Sequence, residues 1–279
     1  MAFNPTYKTV ENEGCELHYW YQGTGPLIIF IPGGNGHGKQ YNKMMTILSP
    51  NYTCATFDRR QMSASTCKVN KLLSPPQQAR DVATIIKAMS FEKSIVFGSS
   101  LGGVIAFQFG IDFPKMVEHL ICHEAPTSSL LPDSTKIHDI LFPCYELYRS
   151  SGLDAAVPPF KATFVGYTDE GVPPTVSPEP HNPINFWENE FLPATFYTPD
   201  LRKLGPDGHD LSVAVIAGAR SRDAWYARTT IEQQKIIGCL RIVAPGHHQG
   251  FEVEVEEFTP VFVKLLKDLD DRRAHRDKA

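Results

Sequence analysis

The sequence predicts a doubly wound, mostly parallel α/β sheet carrying one helical insertion, and three observations lead there. Short continuous apolar runs rich in β-branched residues recur along the chain, as strands buried on both faces require. Stretches of helical periodicity stand between them, and strict strand–helix alternation implies βαβ units. One long stretch breaks the alternation with clustered prolines and aromatics and no strand signal.

Taken in order, residues 16–22 read as an antiparallel strand at one edge of the sheet. Residues 27–31, Leu-Ile-Ile-Phe-Ile, form a continuous apolar run ended by Pro32 and glycines, which suits a central parallel strand. Residues 53–57, 94–97, 117–122, 211–217 and 240–243 read the same way. Helical periodicity covers residues 76–89, 101–113, 225–237 and 254–269, and Pro75-Pro76 places proline at a plausible helix start. Between Pro126 and about Leu204 the prolines cluster and aromatics are dense, with helical pattern only over 134–150 and 185–197. A structureless loop of that size is uncommon, so this stretch is expected to be a helical cap over the carboxyl edge of the sheet, where open α/β sheets place ligands. The expected division is a core of residues 1–125 and 206–279 with a cap of 126–205. The charged tail 270–279 is expected to fray in solvent.

Composition excludes several function classes. The chain has 279 residues, 42% hydrophobic and 21% charged, with 27 Lys and Arg against 31 Asp and Glu for a net charge of −4. That balance disfavours a nucleic-acid binder. No apolar run reaches the ~18–20 residues of a membrane span, and the first residues lack the basic-then-apolar pattern of a signal peptide. Cys15, Cys54, Cys67, Cys122, Cys144 and Cys239 lie far apart without a CxxC, so buried or free thiols are expected rather than disulfides, in a cytoplasmic protein.

Three motifs carry the chemistry. Gly98-Ser99-Ser100-Leu101-Gly102 stands between a predicted strand and a predicted helix, the context G-x-S-x-G needs. Glycines flank the serine because the turn is too tight for side chains. Ser100 is then lifted clear as a nucleophile, and the Leu101 N–H at the helix start points where an oxyanion would form. Pro32-Gly33-Gly34-Asn35-Gly36-His37-Gly38-Lys39 follows the first buried strand. Gly33 to Lys39 fits a phosphate-cradling loop, with Asp58 as a Walker-B acid, but Gln40 stands where Ser or Thr would hold Mg²⁺. No G-x-G-x-x-G register exists for a dinucleotide. An oxyanion loop, in which glycines let a backbone N–H approach a carbonyl oxygen, also explains Ser100 and is preferred. Pro245-Gly246-His247-His248-Gln249-Gly250, after the last strand, supplies a general base late in the chain.

The imidazole needs a carboxylate between the serine and the histidine pair to hold its tautomer. In Gly218-Ala219-Arg220-Ser221-Arg222-Asp223 the customary acid position holds Ser221, and Asp223 comes two residues late beside Arg222. Glu124 follows an apolar strand one place nearer the nucleophile, where a buried acid requires a partner, and is chosen over Asp223. A metal reading of His119, Cys122, His123 and Glu124 fails on alternation, since His119 and Cys122 face opposite sides of a strand.

With these residues in place the chain resembles the α/β-hydrolase superfamily over nearly its whole length, through the elbow 98–102, the glycine loop, Phe57-Asp58-Arg59-Arg60 and Pro-Gly-x-His at 245–248. Cys122-His123-Glu124-Ala125-Pro126 resembles the subgroup with a triad Glu after the sixth strand, which includes fungal zearalenone lactonases. The resemblance implies a helical cap inserted after that strand, a triad of Ser100, Glu124 and His248, and oxyanion N–H groups at Gly34 and Leu101. It selects His248 over His247 because the family histidine follows Pro-Gly-x. The chain departs from the pattern at Pro32, where a His is usual, and at Arg60-Gln61-Met62-Ser63, which lacks the customary Gly. The expected activity is hydrolysis of an ester or lactone of a bulky apolar small molecule. Carbon–carbon cleavage or lyase chemistry on the same triad, a non-catalytic receptor and a nucleotide hydrolase are the alternatives. Trp187, Phe191 and Tyr145 are the expected pocket-wall residues. No cofactor, metal, nucleic acid or membrane is expected as a partner, and a homodimer is compatible with the sequence.

Overall fold

The computed structural model describes residues 2–276. Its strands are β1 (Thr6–Asn12), β2 (Cys15–Gln22), β3 (Leu27–Ile31), β4 (Thr53–Phe57), β5 (Thr66–Cys67), β6 (Ser94–Ser99), β7 (Val117–His123), β8 (Val213–Gly218) and β9 (Leu240–Ala244). They join in one nine-stranded sheet of order β1-β2-β4-β3-β6-β7-β8-β9, with β5 added to β2. From β4 through β9 all pairs are parallel, while β2 is antiparallel to β1, β4 and β5. With the two-residue β5 set aside, β7 is the sixth strand.

The helices are α1 (Asn42–Leu48), α2 (Pro75–Ala88), α3 (Leu101–Asp112), α4 (Ser134–Ser151), α5 (Leu153–Lys161), α6 (His181–Asn185), α7 (Phe191–Phe196), α8 (Trp225–Ile237), α9 (Gly250–Val253) and α10 (Val255–Arg276). Alternation along β3 shows why the sheet is covered twice. Leu27, Ile29 and Ile31 pack with Val82 and Ile86 of α2 and Val104 and Phe107 of α3. Ile28 and Phe30 point the other way, toward Met44 and Leu48 of α1 and Phe258 and Phe262 of α10. Each such fully buried side chain contributes about 1.5–3 kcal/mol relative to exposure. At α2 the Ser74 hydroxyl accepts from the Gln77 N–H and Pro75 occupies the first turn, as proline there requires no donor.

Four expectations are corrected. Residues 16–22 are antiparallel but not at the edge, because β1 lies outside them. β1 is largely exposed and polar, so it carries no burial signal; Glu13 and Gly14, both at positive φ, turn it back in a two-residue hairpin. Cys15 and Cys67 are disulfide-bonded rather than free, because β5 pairs with β2 and sets them opposite each other. The tail does not fray at residue 270: α10 runs to Arg276, Asp270 meets the His119 ring at 3.0 Å and Arg273 pairs with Glu118. Residues 277–279 of that predicted tail lie outside the described residues. Finally, Pro158 and Pro159 sit inside α5, which the sequence reading left without structure.

Between β7 and β8 the described residues form helices and no strand. Their apolar side chains make a cluster of their own, in which Trp187 stacks on Phe191 at 4.4 Å and on Tyr148 at 5.5 Å. Residues 181–196 are one continuous helical stretch interrupted by a π turn, Phe186–Glu190. No described helix is long and apolar enough to cross a membrane.

Candidate active site

The turn from β6 into α3 holds Ser100 at φ 55° and ψ −128°, a region that costs a non-glycine residue about 1–3 kcal/mol. The surrounding backbone enforces it. Ser100 N–H donates to the His123 carbonyl at 2.8 Å, and the Ser100 carbonyl accepts from Gly103 N–H at 2.8 Å. The glycines are required by close approach. A Cβ on Gly102 would stand 2.7 Å from the Pro32 oxygen and nearer still to that of Ile31. On Gly98 it would collide with the Gly102 carbonyl, so strand, elbow and helix close only without these side chains. The glycine loop lies directly against the serine, since a Cβ on Gly33 would sit 3.0 Å from Ser100 Cβ.

The nucleotide reading of that loop finds no support in its side chains. Lys39 is half exposed and pairs with Glu179 at 2.8 Å. Asp58 is buried and braces the loop, accepting from Gly38 N–H at 3.1 Å and Ala64 N–H at 3.2 Å.

Glu124 follows β7 at φ 46° and is fully buried. Its Oε2 accepts from His248 Nδ1 at 2.8 Å and from the Ser221 hydroxyl at 3.1 Å, and its Oε1 accepts from Gly218 N–H at 2.7 Å. Burial pushes the carboxyl up, but the hydrogen bonds from His248 and the Gly218 N–H help to outweigh it and leave the group below its ordinary range. It is therefore ionised at neutral pH. Ser221, at the customary acid position, supports the glutamate instead of replacing it, and Asp223 is exposed.

With Nδ1 committed to Glu124, Nε2 is the nitrogen His248 has left for proton transfer. His248 sits among Tyr226, Phe164 and His123 rings at 4.5, 5.4 and 6.2 Å. The adjacent His247 is turned away, stacked on Tyr167 at 3.9 Å, with Nδ1 accepting from Gln249 N–H. Burial drives His247 and His123 down to about 4, so both are neutral near pH 7 and put no positive charge beside the pair. The four side chains of the metal reading go to separate partners: His119 to Ser212 and Asp270, Cys122 to the Gly103 carbonyl, His123 to Ser99 and Glu124 to His248.

Ser100, His248, Gly34 and Leu101 all line one cavity of about 850 Å³. It lies between the carboxyl ends of the strands and the helical insertion, within the range of small-molecule sites. Trp187 and Phe191 line it. Tyr145 does not: its ring stacks behind Phe191 at 5.8 Å and packs α4 into the insertion. The sequence reading missed Phe160, Phe164, Phe186, Tyr226 and Phe251, which complete the wall. Phe160, Phe164 and Phe186 show in the sequence only as aromatic density within the insertion, and Tyr226 in α8 and Phe251 in α9 lie outside it and carry no such signal.

Comparison with known proteins agrees with this fold. Residues 26–142 match the family model described as the alpha/beta hydrolase fold. An uncharacterized hydrolase, YraK of Bacillus subtilis, is 30% identical over 125 residues, 44% of this chain and 46% of that protein. A zearalenone hydrolase of Cladophialophora bantiana is 28% identical over 138 residues, 46% of this chain and 49% of that protein. The matched segment thus spans about half the length of these curated relatives. Among solved structures, the Cif epoxide hydrolase from Acinetobacter nosocomialis superposes with a TM-score of 0.74 at 14% identity, covering 95% of this chain and 90% of that one. The whole chain has the α/β-hydrolase fold, and part of its sequence matches that family's model and is similar to a zearalenone hydrolase over about half of the length.

Proposed function

We propose that this protein is a serine hydrolase that cleaves an ester or lactone of a bulky, apolar or aromatic small molecule through Ser100, His248 and Glu124, with residues 126–205 acting as a cap over the site. One observation carries the reading: the buried His248–Glu124 hydrogen bond lies at the wall of the same cavity that Ser100 lines. Glu124 fixes the imidazole with its proton on Nδ1, so Nε2 takes the proton of the Ser100 hydroxyl as Oγ attacks the substrate carbonyl carbon. The carbonyl oxygen becomes an oxyanion held by the N–H groups of Gly34 and Leu101, the second at the positive end of α3. The intermediate collapses as His248 returns the proton to the leaving alkoxide, giving acyl-enzyme and alcohol. Water then attacks the acyl carbon, losing its proton to His248, and releases the carboxylic acid and the Ser100 hydroxyl. For a lactone the two products are one hydroxy acid.

Serine at the elbow separates this chemistry from epoxide opening, which requires a carboxylate nucleophile. The aromatic wall of Phe160, Phe186, Trp187 and Phe191 supports a large apolar substrate, as does the likeness to a zearalenone hydrolase. A cytoplasmic site of action, with a small molecule as partner, belongs to the same proposal. The test is a panel of chromogenic esters and macrocyclic lactones against wild type and Ser100→Ala. Hydrolysis by wild type with loss of at least ~10⁴-fold in the variant is expected. Equal rates in both would remove Ser100 from the mechanism, and binding without turnover by wild type would point to a receptor.

A further inference from the structure

The oxyanion loop and the cap meet at one buried guanidinium. Arg59, two residues past β4, is 1% exposed, and all five of its N–H donors have partners. Nε and Nη2 donate to the Gly33 carbonyl at 3.1 and 2.7 Å, and Gly36 N–H is a third donor to that oxygen at 2.9 Å. The outer side of the fork is held by Glu190, also 1% exposed: Nη2 donates to Oε2 at 2.8 Å and Nη1 to Oε1. Gln78 of α2 locks the pair, accepting from Nη1 and donating to Glu190 Oε1 at 2.8 Å.

Gly33 and Gly34 share a planar trans peptide, so the carbonyl of the first and the N–H of the second point in opposite directions. Three donors on the oxygen therefore determine where the Gly34 N–H is aimed. The other side of this peptide is covered by the same piece of cap. A Cβ on Gly34 would stand 3.0 Å from the Phe186 ring, and Phe186 and Glu190 begin and end the π turn. One cap turn thus grips the loop twice, by an aromatic ring on Gly34 and by a carboxylate acting through Arg59 on Gly33. Such turns are frequent at functional sites. A buried ion pair is weak evidence for stability, because desolvation offsets its attraction and apolar side chains could fill the space. What apolar side chains could not do is hold a carbonyl.

We infer that Arg59, seated by Glu190, is a positioning residue for the oxyanion site: it locks the Gly33–Gly34 peptide so that the Gly34 N–H meets the tetrahedral oxyanion, and it makes turnover depend on the seating of the cap turn. The inference rests on the serine-hydrolase reading and deepens it.

The test uses the chromogenic ester that wild type hydrolyses fastest and a boronic acid, which forms a tetrahedral adduct with the serine. Arg59→Met/Glu190→Leu removes both buried charges together. Its kcat is expected to fall ~10²–10³-fold, the scale of one lost oxyanion donor, with KM changed less than about threefold. Boronic acid affinity should fall in parallel with kcat. Glu190→Gln, nearly isosteric, should show the same pattern more weakly, and it carries the test alone if the double variant does not fold. Arg59→Lys, which can donate once to Gly33, should recover part of kcat relative to the double variant. A purely structural role would lower the melting temperature while kcat and the ratio of boronic acid affinity to KM stay at wild-type values, and that result overturns the inference. Ser100→Ala separates the two failures. If it is inactive while the Arg59 and Glu190 variants retain kcat, the positioning role alone falls. If it is as active as wild type, the serine mechanism falls and the inference with it.

Discussion

Glu124→Gln removes one charge and almost no volume, so its effect follows from hydrogen bonding. In the wild type both carboxylate oxygens only accept: Oε1 from Gly218 N–H, Oε2 from His248 Nδ1 and the Ser221 hydroxyl. A glutamine has one acceptor and one donor to place there. If its oxygen stays on Gly218, its NH₂ faces His248 and stabilises the tautomer with the proton on Nε2, which cannot accept from Ser100. If it turns over, its NH₂ meets the Gly218 N–H in a fully buried site, at a cost of about 1–3 kcal/mol for the unpaired donor. The first arrangement is therefore favoured, and kcat should fall about 10⁴-fold, or about 5 kcal/mol in the barrier. The melting temperature should move only modestly. Steady-state ester hydrolysis, with circular dichroism as the folding control, reads both. Asp223→Asn, at an exposed position, should retain wild-type kcat. Glu124→Gln within tenfold of wild type, or an inactive Asp223→Asn, would refute the assignment of the acid.

Gly102→Ala should cost about 2–4 kcal/mol, because the new methyl meets the backbone oxygens of Ile31 and Pro32, which cannot move without shifting β3. Urea denaturation measures this, and a loss under 1 kcal/mol would contradict the close packing of elbow and strand. Glu252 gives a pH prediction: burial lifts its carboxyl from 4.5 to about 7, against the Val176 N–H and the Gln249 amide. The folded state keeps this proton where the unfolded state has lost it, so its stabilising contribution is full below about pH 4.5 and is lost as pH rises to about 7. The loss amounts to about 3 kcal/mol, and Glu252→Gln should flatten that slope; an unchanged slope between pH 5 and 7 would show that another group is responsible.

What was legible in the sequence is what local pattern encodes. Runs such as Leu27–Ile31 are apolar because both sheet faces are covered, and Gly98 and Gly102 stand out because a tight turn admits nothing else. Glu124 stands out because an acid at the end of an apolar strand needs a partner, and in the structure His248 donates to it. What stayed hidden depends on contacts made by folding. The Cys15–Cys67 bond exists because β5 meets β2, and the Arg59–Glu190 pair joins residues 131 positions apart. β1 has an exposed face and no apolar run, and α5 hides behind two prolines. The cavity wall was visible as aromatic excess, but which face each ring presents is decided by helix packing. Tyr145 and Phe191 are equally aromatic; only Phe191 reaches the cavity.

The most direct measurement is intact-protein and peptide mass spectrometry after treatment with a fluorophosphonate. A single phosphonyl adduct on Ser100 is expected, formed by wild type, absent from Ser100→Ala and strongly slowed in His248→Ala. Modification at another serine, or equal labelling in the His248 variant, would mean that no imidazole activates this hydroxyl.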